Sequence, residues 1–213
     1  MTETPHPDRL THYWQLRQDI LDGAFPRDSP LLETSLSARY GTSRAPIREA
    51  LGLLEHDGLI ERAVRGYRVR SGRPEDVVEI YEARIALEAE AAGAAALRRT
   101  DLDLARLARQ HDLCRTAPDD ATGRAGHFRF HEALWQAAHN VTITSLLERL
   151  TTRLRIYDSG PPASYGDPDL LNAEHEQIMA ALRARDAETA RAEMRGHLQR
   201  SLDLRIQSIA EEN

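Results

Sequence analysis

The sequence predicts a mainly α-helical chain in two parts. The first is a small N-terminal unit of three helices closed by a β-hairpin; the second is an all-helical antiparallel bundle. Three observations carry this. Apolar residues recur at helical spacing along nearly the whole chain of 213 residues. The one convincing pair of strands is confined to a short segment around Gly66. A breaker cluster, Ser71-Gly72-Arg73-Pro74, separates that segment from the helices beyond.

The elements follow in order. Residues 1–7 read as a disordered lead-in. Asp8 to Asp22 carries Leu10, Tyr13, Trp14, Ile20 and Leu21 at helical spacing, with Gly23 as a terminator. A loop with two prolines precedes a short helix from Glu33 to Tyr40, ended by Gly41. Ser43 is placed to cap the next helix, which holds Pro46 in its first turn, where a missing N–H costs little. That helix stops near Gly58. Leu59 to Ala63 and Tyr67 to Arg70 form the hairpin around Val64-Arg65-Gly66. Helix, helix, turn, helix, hairpin is the order of a winged helix-turn-helix, here residues 8–72. Residues 73–74 are the linker. Residues 75–210 divide into helices at 75–98, 101–115, 120–139, 142–158, 168–184 and 187–210, separated by Pro118, Gly160-Pro161-Pro162 and Gly166-Asp167-Pro168. Asp101, Thr142 and Asp186 are expected at helix starts.

Charge is distributed unevenly. The net is −6, yet residues 39–73 carry eight arginines against four acids. A confined basic face on an acidic body suits DNA and limits non-specific binding. Every basic side chain is arginine, which favours bidentate contacts, although base composition alone can produce that bias. No apolar run approaches the roughly 18–20 residues of a membrane span. The N-terminus lacks a secretory layout, and the single cysteine, Cys114, excludes an intrachain disulfide. A cytoplasmic protein is expected, with Cys114 as a packing residue.

Arg44 and Arg48 stand four apart at the start of the third helix and share a face. A recognition helix brings such early side chains to base edges, so Arg44 is the candidate for a bidentate contact to guanine. Arg48 faces base or phosphate, or pairs with a nearby acid. Ser43 and the helix N-terminus suit a phosphate oxygen. Arg65 and Gly66 at the wing tip suit the minor groove or backbone.

In the second part the histidines stand out. His127 and His131 are four apart, and His175 and His197 lie on apolar stripes of later helices. Four imidazoles on three helices suit Zn²⁺, Ni²⁺ or another first-row ion if they converge. Singly, each reads as a hydrogen-bonded core histidine. Arg84 either forks onto a carboxylate near a metal or pairs with Glu88 one turn on. Asn140 either supports the site or caps a helix. The sequence contains no HExxH, no phosphate-cradling glycine loop and no nucleophile elbow, so enzyme chemistry is not expected.

Ser43-Arg44-Ala45-Pro46-Ile47-Arg48-Glu49-Ala50-Leu51, Asp57-Gly58-Leu59-Ile60 and Arg65-Gly66-Tyr67-Arg68-Val69 resemble the DNA-binding domain of the GntR family of bacterial regulators. Arg27-Asp28 departs from the usual Pro-Gly. The resemblance implies that Ser43, Arg44, Pro46, Arg48, Arg65 and Gly66 contact DNA. His127 to Asn140, Glu174-His175 and Ala192 to Leu198 resemble the helical effector domain of the FadR-like branch, the FCD domain. Many members hold a metal with one Asp and three His. The histidine positions map onto His131, His175 and His197, and the Asp position maps onto His127. The resemblance therefore implies a four-His or three-His metal site, or a site that has lost the ion and binds effector directly. It also implies a homodimer on near-palindromic, double-stranded operator DNA, and a small organic-acid effector bound near Arg84 and Asn140. The expected function is a ligand-responsive regulator that represses transcription. The alternatives are a direct metal sensor and a helical metalloenzyme.

Overall fold

The computed structural model describes residues 10–26, 28–71, 73–157 and 167–212. The lead-in, Arg27, Gly72, Gly160-Pro161-Pro162 and Gly166 lie outside the described residues. The first unit holds the residues up to Arg73 together with the end of α7 from Thr152. The second holds the rest of the helices.

In the first unit the order is α1 (Thr11–Leu21), β1 (Pro30–Leu31), α2 (Glu33–Tyr40), α3 (Arg44–His56), β2 (Ile60–Arg62) and β3 (Tyr67–Val69). Helix α2 stops because Gly41 takes a left-handed conformation, φ 64°, that leaves the chain free to turn into α3. Helix α3 buries Ile47, Ala50, Leu51 and Leu54 on one face and leaves Arg44 and Arg48 on the other. Leu16, Ile20, Leu31, Leu36, Ile60 and Val69 pack with it into one core, which Ile156 from the last turn of α7 joins. The sheet order is β1-β3-β2, all antiparallel. Strands β2 and β3 are the expected hairpin. Strand β1 is a finding of the structure: two residues carry no period. Pro30 sits on an edge strand, where a missing donor is tolerated.

Gly66 turns the hairpin with φ 73°, and a Cβ there would lie 2.7 Å from the carbonyl oxygen of Leu31. The wing therefore requires glycine at this position on both conformational and steric grounds.

The second unit is built from α4 (Pro74–Arg98), α5 (Asp101–Arg115), α6 (Asp120–Ala137), α7 (Val141–Tyr157), α8 (Pro168–Ala184) and α9 (Ala187–Glu212). Its first half of α4 buries Val77, Ile80, Tyr81 and Ile85; its second half buries Ala89, Ala92, Ala95 and Ala96, and these small side chains let α9 lie close along it. Asp101 begins α5 as expected, and Thr100 just before it caps the helix in a reciprocal box with Asp103. Asn140, not Thr142, caps α7, its Oδ1 accepting from the Ile143 N–H at 3.2 Å. Asp186 caps α9 as expected, through Thr189. Thr100 has the extended backbone, φ −84° and ψ 170°, that a cap needs. No helix among the described residues is long and apolar enough to cross a membrane.

Candidate functional site

The first unit presents an arginine-lined groove between the starts of α2 and α3 and the wing. Leu32, Glu33, Arg44, Arg48, Arg62 and Gly66 line it. Arg44, the first residue of α3, is exposed and makes no hydrogen bond or ion pair among the described residues. Ser43 occupies the cap position, but its hydroxyl makes no capping hydrogen bond, contrary to its expected role. The opening amides of α3 are thus not occupied by that side chain, which leaves them available to an anion. Pro46 is half-buried in the first turn. Arg65 stands exposed at the wing tip beside Val64 and Gly66.

Arg48 adopts the alternative that pairs it with an acid. Its Nε and a terminal nitrogen donate to the two oxygens of Glu33, at 2.8 and 2.7 Å. Arg48 holds the Glu33 carboxyl below its ordinary pKa, and Glu33 raises that of Arg48. Glu33 was not legible as a site residue, because the contact joins two helices fifteen positions apart. Arg62 also enters the groove, packed over the Tyr67 ring at 4.7 Å and paired with Glu55 at 3.3 Å.

The second unit holds the histidine centre. Helix α4 contributes Arg84 and Glu88, α6 contributes His127, His131 and Trp135, α8 contributes Glu174 and His175, and α9 contributes His197 and Arg200. Glu88 is fully buried. One of its oxygens accepts from Arg84 at 2.9 and 2.7 Å. The other accepts from His131 Nδ1 at 2.6 Å and from the Trp135 indole at 2.9 Å. Burial pushes the Glu88 carboxyl up, but the Arg84 charge, His131 and the Trp135 hydrogen bond outweigh it and hold the carboxyl well below its usual range. Of the two roles open to Arg84, pairing with Glu88 is the one observed. On α8, Glu174 accepts from His197 Nδ1 at 2.8 Å and pairs with Arg200. There too burial is outweighed, by Arg200 and His197, and the carboxyl is lowered to about 2.

These partners fix the imidazoles. An ionised carboxylate only accepts, so Nδ1 of His131 and of His197 each carries the hydrogen. In the neutral rings both Nε2 atoms then present lone pairs, and these two atoms lie 3.1 Å apart. Two facing lone pairs at that distance repel, and either a proton on one Nε2, which makes the contact a hydrogen bond, or a metal ion relieves the repulsion. His175 completes the group: its ligand atom and those of His131 and His197 all lie within 4.8 Å of one another. Its ring is fully buried, stacked on Phe130 at 4.0 Å, and neither nitrogen has a hydrogen-bond partner among the described residues. Burial first, then the neighbouring imidazoles, lowers His175 well below the ordinary histidine range; burial also lowers His197. Neutral imidazoles backed by carboxylates through Nδ1 are the donor set that a divalent transition metal requires. The residues present therefore fit a metal.

Of the four expected histidines, this group unites three. His127 meets His175 with ring centroids 4.7 Å apart, but its ligand atom groups with Cys114 and His175. Glu88 and Glu174 are the residues that sequence reasoning missed as partners of His131 and His197. Asn140 spends its carboxamide oxygen on the cap of α7.

Comparison with known proteins agrees with both parts. Residues 11–67 match the model of the bacterial regulatory proteins of the gntR family, and residues 79–200 match the FCD domain. The chain is 30% identical to the uncharacterized HTH-type transcriptional regulator YdhC of Bacillus subtilis, over 92% of this chain and 89% of that protein. It is 29% identical to the HTH-type transcriptional repressor GlaR of Escherichia coli, covering 94% and 97%. Among solved structures, a putative GntR regulator from Rhodococcus superposes with a TM-score of 0.72 at 26% identity, covering 95% and 97%. Escherichia coli McbR/YncC shares the fold at a TM-score of 0.73 and 23% identity, covering 93% and 97%. YdhC and GlaR are named as regulators of transcription, not as enzymes. The chain belongs to the GntR family of bacterial regulatory proteins, with an FCD domain as its helical part, and is a DNA-binding transcriptional regulator.

Proposed function

We propose that this regulator is a repressor whose grip on operator DNA is set by a divalent metal, together with a small organic acid, at the histidine centre. The observation that carries the reading is the pair of Nε2 atoms of His131 and His197, 3.1 Å apart with both Nδ1 atoms committed to carboxylates. His131, His175 and His197 would hold the ion. Glu88 and Glu174 orient the first and last of these rings, and Arg84 and Arg200 keep the two carboxylates ionised. When bound, the metal supplies a Lewis-acidic position for an effector carboxylate. Zn²⁺ and Ni²⁺ are the ions that imidazole donors favour.

In the first unit, Arg44 reads a base edge in the major groove. Ser43 and the amides at the start of α3 take a phosphate, and Arg65 and Gly66 approach the neighbouring groove. Arg48 exchanges Glu33 for DNA. Two protomers on a near-palindromic operator place two such helices about one turn apart. An organic acid that binds one arrangement of the dimer better than another shifts operator affinity by that difference. The repressor sign is supported by relatives such as GlaR and RspR, both named as repressors. A cytoplasmic location suits DNA binding and an unpaired cysteine.

Zinc added to chelator-treated protein tests the reading. An ion at about 100 times its Kd stabilises the fold by about 2.7 kcal/mol. The melting temperature should rise, and the rise should shrink in His131→Ala and His197→Ala. Anisotropy titrations of the DNA flanking the gene should show a salt-sensitive complex whose affinity differs between zinc-free and zinc-loaded protein. An unchanged melting temperature together with an unchanged affinity would overturn the proposal.

A further inference from the structure

Cys114 lies in the last turn of α5 and is buried. Its thiol reaches α6 because residue 126 is glycine: a Cβ there would stand 3.0 Å from the Cys114 sulfur. The next residue along α6 is His127. Its ligand atom, the Cys114 sulfur and a ligand atom of His175 all lie within 4.8 Å of one another.

Two features set this group apart from ordinary packing. The His127 Nδ1 is buried without a hydrogen-bond partner among the described residues. Both nitrogens of His175 are buried without one, in a side chain with no exposed surface. Native folds rarely leave such atoms unpaired. The group thus offers imidazole lone pairs and a thiol, and no positively charged donor of its own. A cation, rather than an anion, matches that set.

The charge count points the same way. The three-histidine group contains no anionic ligand, whereas Cys114 becomes a thiolate when its proton leaves to solvent and a sulfur–metal bond forms. No electron changes hands. Sulfur with two nitrogens selects zinc and other thiophilic ions over hard, oxygen-seeking ones such as Mg²⁺.

We propose that Cys114, His127 and His175 form a thiolate-bearing metal site of their own, beside the three-histidine group, and that it takes a thiophilic divalent cation. The proposal rests on reading the histidine centre as a metal site in one respect only: the two groups share His175, whose neutral ring has a single lone pair to give, so at any moment it serves an ion in one group or in the other. Cys114 is then a ligand, not a packing residue.

Cobalt separates the two readings. Co²⁺ is titrated into chelator-treated protein kept reduced with a phosphine. A near-ultraviolet thiolate-to-cobalt charge-transfer band reports Cys114 alone, since the chain has one cysteine. Visible d–d bands report coordination at either group. Wild type should show both. Cys114→Ser should lose the near-ultraviolet band and keep the visible bands. His197→Ala, which breaks only the three-histidine group, should keep the near-ultraviolet band. Far-ultraviolet circular dichroism checks that each variant is folded, and the wild-type spectrum decides the matter even where a variant is not. Visible bands without a charge-transfer band in wild type would overturn this proposal and leave the three-histidine reading standing. Absence of both would overturn the two together.

Discussion

Replacing Glu88 with glutamine alters one oxygen and removes one charge at the point where α4 meets α6. The wild-type carboxylate receives four contacts: two nitrogens of Arg84, Nδ1 of His131 and Nε1 of Trp135. Every one of those groups is a donor. A carboxamide keeps one acceptor oxygen and turns an NH₂ toward the other pair of donors. If the oxygen stays with Arg84, His131 and Trp135 face an NH₂; if it turns, Arg84 does. At least one buried donor is left unpaired, at about 1–3 kcal/mol. Arg84, a residue only 7% exposed, also loses the Glu88 carboxylate as a counter-ion. Breaking a buried pair from one side costs about 3–5 kcal/mol, so the whole effect should fall in that range and lower the melting temperature by about 10 °C. The variant should also bind Zn²⁺ about 10–100-fold more weakly, because His131 loses the acceptor that fixes its tautomer. Urea unfolding of metal-free protein in a Trp14→Phe background lets Trp135 report alone, and a chromophoric chelator measures the zinc affinity. A stability loss below about 1 kcal/mol with unchanged zinc affinity would refute the reasoning, since it would mean that the donors find other partners at no cost.

Other outcomes follow from the same structure. Arg44→Ala should weaken operator binding by about 1–3 kcal/mol and blur preference at one base pair, read by anisotropy on a panel of single-base operator variants. Arg48→Ala should flatten the salt dependence of DNA binding by about one counter-ion; an unchanged slope would show that Arg48 stays out of the interface. Asp103→Asn removes a carboxylate that burial raises but Thr100 and His139 lower further, to about 2. A depressed carboxyl stabilises the fold above its unfolded pKa of about 3.9 and loses that contribution as pH falls toward the folded value. The difference between wild type and variant, about 1 kcal/mol for a lost cap, should therefore be full at pH 6 and shrink below about pH 4.

The helices were legible because their apolar spacing is strong. Glu33–Tyr40, Asp101–Arg115 and Pro168–Ala184 are bounded by breakers or caps that a reader can find. Strand β1 was not legible, since its two residues pair only through the register that β3 imposes. The cap at Asn140 was displaced because several neighbouring polar residues suit the same place and tertiary packing chooses among them. At the centre, the inward faces of His131, His175 and His197 could be read from periodicity. What periodicity does not encode is which acids reach them. Glu88 meets His131 across 43 residues and Glu174 meets His197 across 23. The same limit hid Cys114, whose placement beside His127 depends on a glycine in another helix. Arg48 was left open between DNA and an acid for the matching reason: without DNA present, the nearest carboxylate claims it.

The histidine centre is the claim on which control of this regulator turns. X-ray diffraction from zinc-grown crystals, collected on both sides of the zinc absorption edge, tests it most directly. The account predicts an anomalous peak within bonding distance of the Nε2 atoms of His131 and His197 and of one His175 nitrogen. No peak there, with the two Nε2 atoms sharing a proton instead, would contradict it.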